Sequence, residues 1–187
     1  MSKIALEGFG DARLWPITTD DATTFVTGTM VQFVGARNLT KDDTEREYAI
    51  PGDNVIYATG TDFAYQDMEL EINELDLQTL SQLRGGTYTE ATKLYQRKKG
   101  DKAIPFAFGY SAPLVDGGFR MWKHMNCILM SVKADLKTKD PNTGKEINTY
   151  KVKIRNTYRT ADEMIEQIED GEDNTWLNTV DQLPVGG

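Results

Sequence analysis

The chain has 187 residues, with 21 Lys and Arg against 29 Asp and Glu and a net charge of −8; that balance disfavours a tight nucleic-acid grip, which needs a positive patch to displace phosphate counterions. A single cysteine, Cys127, excludes an intrachain disulfide framework and a cysteine-based structural zinc site. At 39% hydrophobic and 27% charged residues the chain suits a soluble globular domain, and no run approaches the roughly 20 apolar residues that span a bilayer.

The opening residues MSKIALE reach Glu7 and Gly8 before any signal-like apolar run forms, so synthesis and retention on the cytoplasmic side are expected. Residues 38–60 are rich in charge and turn formers, with Asp42-Asp43 and Pro51-Gly52-Asp53 and only spaced apolar anchors, among them Tyr48, Ile50, Ile56 and Tyr57. A connection of that length predicts an extended loop or arm, ordered against a neighbouring copy. Residues 65–73 then alternate at period two. On an extended chain Met68, Leu70 and Ile72 share one face, and Asp67, Glu69 and Glu71 the other.

A helix follows over 74–84, capped by Asn73, with Leu77, Leu80 and Leu83 on one face and Gly85-Gly86 as its stop. The basic cluster Arg97-Lys98-Lys99 reads as a solvated turn. Residues 104–111 and 119–130 are apolar strands joined by the Val115-Asp116-Gly117-Gly118 hairpin. Residues 126–136 fit one strand with a kink or bulge, and the turn Asp140-Pro141-Asn142-Thr143-Gly144 returns the chain to 147–158. There Val152 and Ile154 oppose Lys151, Lys153 and Arg155. Thr160 with Glu163 forms a capping box that predicts a second helix over 161–170, with Met164, Ile165 and Ile168 as its apolar stripe. An acidic tail ends in Pro184-Val185-Gly186-Gly187, which should fray. The fold class is mainly β, a sandwich or meander with one flanking helix and a second short C-terminal helix. Residues 1–158 form the domain, with its arm at 38–60, and 159–187 the C-terminal helix and tail.

Reactive groups are few. His124, the only histidine, lies in an apolar run and reads as a sheet histidine with one hydrogen-bond partner; Cys127 reads as core filling. No nucleophile elbow, phosphate-binding loop or His-x-x-x-His pair is present. Asp67, Glu69 and Glu71 have a spacing that an acid pair would use, but any solvated strand produces it. They serve better as cross-strand partners of Lys151, Lys153 and Arg155, within one subunit or between copies. No enzymatic activity, cofactor or metal is expected.

The order of segments resembles the major tail (tail tube) proteins of long-tailed, non-contractile bacteriophages across roughly residues 45–157. The resemblance lies in the acidic-aromatic stretch at 47–57, the alternating strand at 65–72 and the Asn-Glu-Leu-Asp-Leu helix start at 73–77. It continues through Ile104-Pro105-Phe106-Ala107-Phe108-Gly109-Tyr110, the Gly hairpin, and Trp122-Lys123-His124-Met125-Asn126-Cys127-Ile128-Leu129. It implies a β-sandwich flanked by a helix and a structural virion protein without an active site. Its subunits form hexameric rings whose sheets join in a barrel, and the rings stack into a tube that conducts the genome into the host. Implied partners are further copies of the chain and tail-tip, tape-measure and tail-terminator proteins, with DNA passing unbound and no membrane contact. Assembly in the host cytoplasm and residence in the virion tail follow. On that basis Asp67, Glu69 and Glu71 line the lumen or pair across strands, and Tyr48, Ile50, Ile56 and Tyr57 belong to a ring-stacking arm. Two alternatives stay open: a ring protein of a contractile tail or secretion apparatus, and a stand-alone β-sandwich that binds a ligand or glycan.

Overall fold

The computed structural model describes residues 5–51, 56–136 and 148–183. It is mainly β, built from antiparallel strands with one α-helix. In chain order the strands are β1 (Gly10–Asp20), β2 (Phe25–Thr27), β3 (Val31–Gln32), β4 (Ala36–Pro51) and β5 (Ile56–Ile72), followed by helix α1 (Leu77–Arg84). Then come β6 (Thr87–Thr89), β7 (Leu94–Gln96), β8 (Phe106–Pro113), β9 (Phe119–Asp135), β10 (Thr149–Thr157) and β11 (Glu166–Gly171). The main sheet runs β2-β1-β8-β9-β10-β5-β4, with β3 on β1 and β11 on β9; β6 and β7 form a separate hairpin.

β9 organises the fold because its two halves belong to different layers. Its first half is flanked by β8 and β11, its second half by β10. The principal core fills the space between. Leu14, Phe106, Phe108, Tyr110 and Trp122 face it from one side, and Met68, Leu70, Ile72, Val152 and Ile154 from the other, with Leu83 of α1 closing it. β5 keeps the alternation of its sequence: Met68, Leu70 and Ile72 are buried while Asp67, Glu69 and Glu71 sit on the outer face. β8 is buried on both faces, which explains its unbroken apolar sequence. Its second face meets a smaller core of Trp15, Ile17, Phe25, Ala107, Met125 and Val180.

The C-terminal segment covers that second face. Leu177 and Val180 are buried, Trp176 lies 3.6 Å above the buried Lys123 ammonium, and Leu183 bridges to Phe25. The helix expected at 161–170 does not form. Arg159 donates to both oxygens of Asp162 at 2.6 Å, closing a turn, and Glu163 has φ 57°, a left-handed conformation that a helix cannot continue through. The chain then extends as β11 and supplies hydrogen bonds to a flank of β9 that burial would otherwise leave unpaired. A short 3₁₀ turn follows at Thr175–Asn178.

Two further expectations shift. The segment 38–60 is not a loop: apart from residues 52–55 it forms the long hairpin of β4 and β5, paired from Ala36↔Ile72 to Pro51↔Ile56. Its sequence hides this because most side chains of β4 are charged or polar, so apolar alternation never appears; backbone pairing to β5 supplies the order. The first helix starts at Leu77, capped by Asp76 rather than Asn73. Asp76 accepts from the Thr79 N–H at 2.8 Å and from the Thr79 hydroxyl at 2.6 Å. The Gly hairpin joins β8 to β9 as expected, with Gly117 and Gly118 at φ 100° and 80°. The turn at 140–144 and the terminal residues 184–187 lie outside the described residues.

Candidate interaction surfaces

The outer face of β5 and β10 is a lattice of opposite charges set by strand register. Lys151 stands opposite Glu71, Lys153 opposite Glu69 and Arg155 opposite Asp67. Arg155 donates to both Asp67 oxygens, from Nε at 2.7 Å and Nη2 at 3.0 Å, while its guanidinium lies 3.7 Å from the Tyr65 ring. Lys153 reaches Asp67 at 3.2 Å, Lys151 reaches Glu69 at 3.4 Å and Arg37 reaches Glu71 at 3.8 Å. Arg155's hydrogen bonds hold the Asp67 carboxyl below its ordinary value; partial burial opposes this and Lys153 reinforces it. A carboxyl held that way is a poor general acid. Extending the register outward places Asp42 of β4 and Lys133 and Asp135 of β9 at the margins of this face. Asp42 there stands opposite Asp67 and Lys133 opposite Lys151, so the ion pairs of this face are those of Arg37, Lys151, Lys153 and Arg155.

Strands β9, β10, β5 and β4 form a four-stranded unit open at both ends. β4 is the terminal strand of the main sheet. β8 accompanies β9 only to Cys127, so from Ile128 to Asp135 the opposite flank of β9 has no strand partner among the described residues. There Arg84 donates to the Val132 carbonyl at 3.3 Å.

At the far end of the β4–β5 hairpin, Tyr48 stands opposite Gly60 and its ring lies across the glycine. A Cβ at Gly60 would come 2.5 Å from the Tyr48 hydroxyl. Glu47, Tyr48, Ala49, Thr59, Gly60 and Thr61 line a shallow concavity of about 580 Å³ here. Ile50, Ile56 and Tyr57 contribute backbone to β4 and β5; their side chains lie outside the described residues.

A buried polar cluster went unseen in the sequence because its members are far apart along the chain. His124 is fully buried between layers, with Nδ1 3.4 Å from the Asn156 amide nitrogen and 3.5 Å from Glu166, and Nε2 without a hydrogen-bond partner among the described residues. Burial, with the nearby Lys41 charge, pushes its pKa down to about 3, so the ring is neutral. Cys127 is buried and its thiol is pushed well up by desolvation, the opposite of an activated nucleophile. Among the described residues no group of three or more His, Cys, Asp and Glu converges to hold a metal ion, and no helix is long and apolar enough to cross a membrane.

No protein-family model matches the chain, and no curated protein matches it. Among solved structures it is similar to one described as the anti-feeding prophage cap, the AFP tube terminating cap, determined by cryo-EM. The two share 12% identity over 86% of this chain and 89% of that one, with a TM-score of 0.40. At that distance the likeness fixes neither family nor function.

Proposed function

We propose that the chain is a structural virion protein: the subunit of hexameric rings that stack into the tail tube of a long-tailed bacteriophage and conduct its genome during ejection. The observation that carries this proposal is the four-stranded unit β9-β10-β5-β4, in which β4 and residues 128–135 of β9 have no outer strand partner among the described residues. A long open edge invites pairing with another chain, and closure into a ring removes it. The strands alternate in direction, so β4 runs opposite to β9. Copies placed side by side in one orientation therefore bring β4 of one antiparallel to β9 of the next, and the pairing propagates until it closes. Six copies give ~24 strands; at a spacing of ~4.8 Å and a tilt of ~40° the barrel is roughly 45–50 Å across, backbone to backbone. That bore admits hydrated duplex DNA.

The lattice on β5 and β10 is the wall such a barrel turns inward. Lys151, Lys153 and Arg155 each already have a carboxylate neighbour, so passing phosphates find few free positive charges and DNA moves without being held. The distal hairpin, with Tyr48, Ile50, Ile56 and Tyr57, extends past the ring as its stacking arm. Assembly in the host cytoplasm would involve tail-tip, tape-measure and tail-terminator proteins. Native mass spectrometry with negative-stain electron microscopy of the purified protein tests the proposal. Closed rings of six copies, alone or stacked, are expected; a monomer at high concentration, even with tail-tip proteins present, would overturn it.

A further inference from the structure

An exposed basic turn lies at one end of the four-stranded unit and exposed carboxylates of the β4–β5 hairpin at the other. At one end β5 stops at Ile72 and α1 follows, its last residue Arg84 bonded to Val132, which is level with Val152 and Leu70. Beyond α1 and the β6–β7 hairpin lies a turn at residues 97–102. Asp101 accepts from the Lys98 N–H at 2.6 Å and donates its own N–H to the Lys98 carbonyl at 3.1 Å. The Lys102 carbonyl packs against Gly85 at the helix end, which fixes the turn to this end of the molecule. Arg97, Lys98, Lys99 and Lys102 are all exposed, and the turn's one carboxylate, Asp101, is occupied in shaping it.

The opposite end is the distal half of the β4–β5 hairpin. Glu45, Glu47 and Asp62 are exposed there, Glu45 and Glu47 on one face of the hairpin and Asp62 on the other, where Arg46 stands opposite it. From Leu70 to Thr61 is nine residues of strand, roughly 30 Å. The open flank of β9, from Ile128 to Asp135, is level with the proximal half of the 16-residue β4, so lateral pairing leaves the distal half projecting. Strand alternation puts Glu45 and Glu47 together on the face opposite the Tyr48 ring, a face on which the distal hairpin carries no cation and which suits a basic partner.

We infer that the basic turn at residues 97–102 of one copy docks on the acidic distal hairpin of a second copy placed end to end with it. The contact presupposes the stacked rings proposed above and names the surfaces that join one ring to the next. Because a copy's own two patches lie at opposite ends, the contact is head-to-tail and repeats without limit along an axis, as a tube requires. Charge complementarity would set the order and rate of stacking more than its final strength.

Two experiments test the inference. Mixed ¹⁴N- and ¹⁵N-labelled protein in its assembled form is treated with a carbodiimide, which joins lysine to carboxylate only at contact distance. Mixed-label links from Lys98, Lys99 or Lys102 to Glu45 or Glu47 are expected; their absence would overturn the inference. The variants Arg97→Glu/Lys98→Glu/Lys99→Glu and Glu45→Lys/Glu47→Lys should each form rings yet stack about tenfold more weakly, and stacking should return when the two are mixed. Failure of the wild type to form rings would reject the tube proposal itself. Rings whose stacking ignores both variants would reject only this contact. Loss of binding to a DNA duplex in the first variant, with stacking unchanged, would assign the turn to nucleic acid instead.

Discussion

Asp67 and Arg155 meet across β5 and β10 in a two-pronged ion pair, and Tyr65 lies under the guanidinium. Asp67 is only 18% exposed, so the pair is better shielded than its neighbours on the lattice. Asp67→Asn should destabilise the unassembled subunit by about 1 kcal/mol at pH 7. Because the folded carboxyl titrates below its unfolded value, the stabilisation is complete above the ordinary carboxyl range and is lost as pH falls through the folded value. Urea denaturation of both proteins at pH 7 and at pH 3 should show the difference shrink in acid.

His124 has a distinct signature. Its folded pKa lies below the ordinary 6.5, so the unfolded chain binds the proton first and stability declines as pH drops below about 6.5. The single imidazole should show no titration by NMR between pH 8 and pH 5. His124→Asn should flatten the pH dependence of stability in that range by up to about 1.4 kcal/mol per pH unit. A ring that titrates near 6.5 in the folded protein would contradict the burial described.

The C-terminal segment should behave as core. Leu177→Ala removes a fully buried side chain over Gly109 and Trp15 and should cost about 3 kcal/mol, measurable by chemical denaturation. Ile168→Ala, at an exposed position of β11, should change stability by less than about 0.5 kcal/mol.

Helix capping separates two neighbouring residues. Asp76→Ala should cost about 1 kcal/mol through loss of both bonds to Thr79. Any effect of Asn73→Ala should leave the helix intact by circular dichroism, since Asn73 lies before the cap and its N–H bonds the Gly35 carbonyl.

How legible the molecule was in its sequence follows from where each signal resides. The alternation at 65–72, the Gly117-Gly118 turn and the helix ending at Gly85 are local and read directly. The β4 strand was not, because a charged edge strand lacks the apolar period that marks a half-buried one. The 161–170 segment misled for the opposite reason: a genuine capping-box spacing lost to the tertiary demand of β9 for a partner. On the charged face, residue types and alternation were readable, but the pairing of Asp67 with Arg155 needed the register of β10 on β5. The His124–Asn156–Glu166 cluster and the charge contrast between the two ends needed the full topology.

In the proposed ring, β4 of one copy completes the sheet of the next along the flank of β9 that has no strand partner among the described residues. An electron cryomicroscopy reconstruction of the assembled protein tests it most directly. Antiparallel hydrogen bonding between β4 and β9 residues 128–135 of adjacent copies is expected, with Asp67, Glu69 and Glu71 facing the bore. An assembly in which both edges stay unpaired, or in which that face points outward, would contradict it.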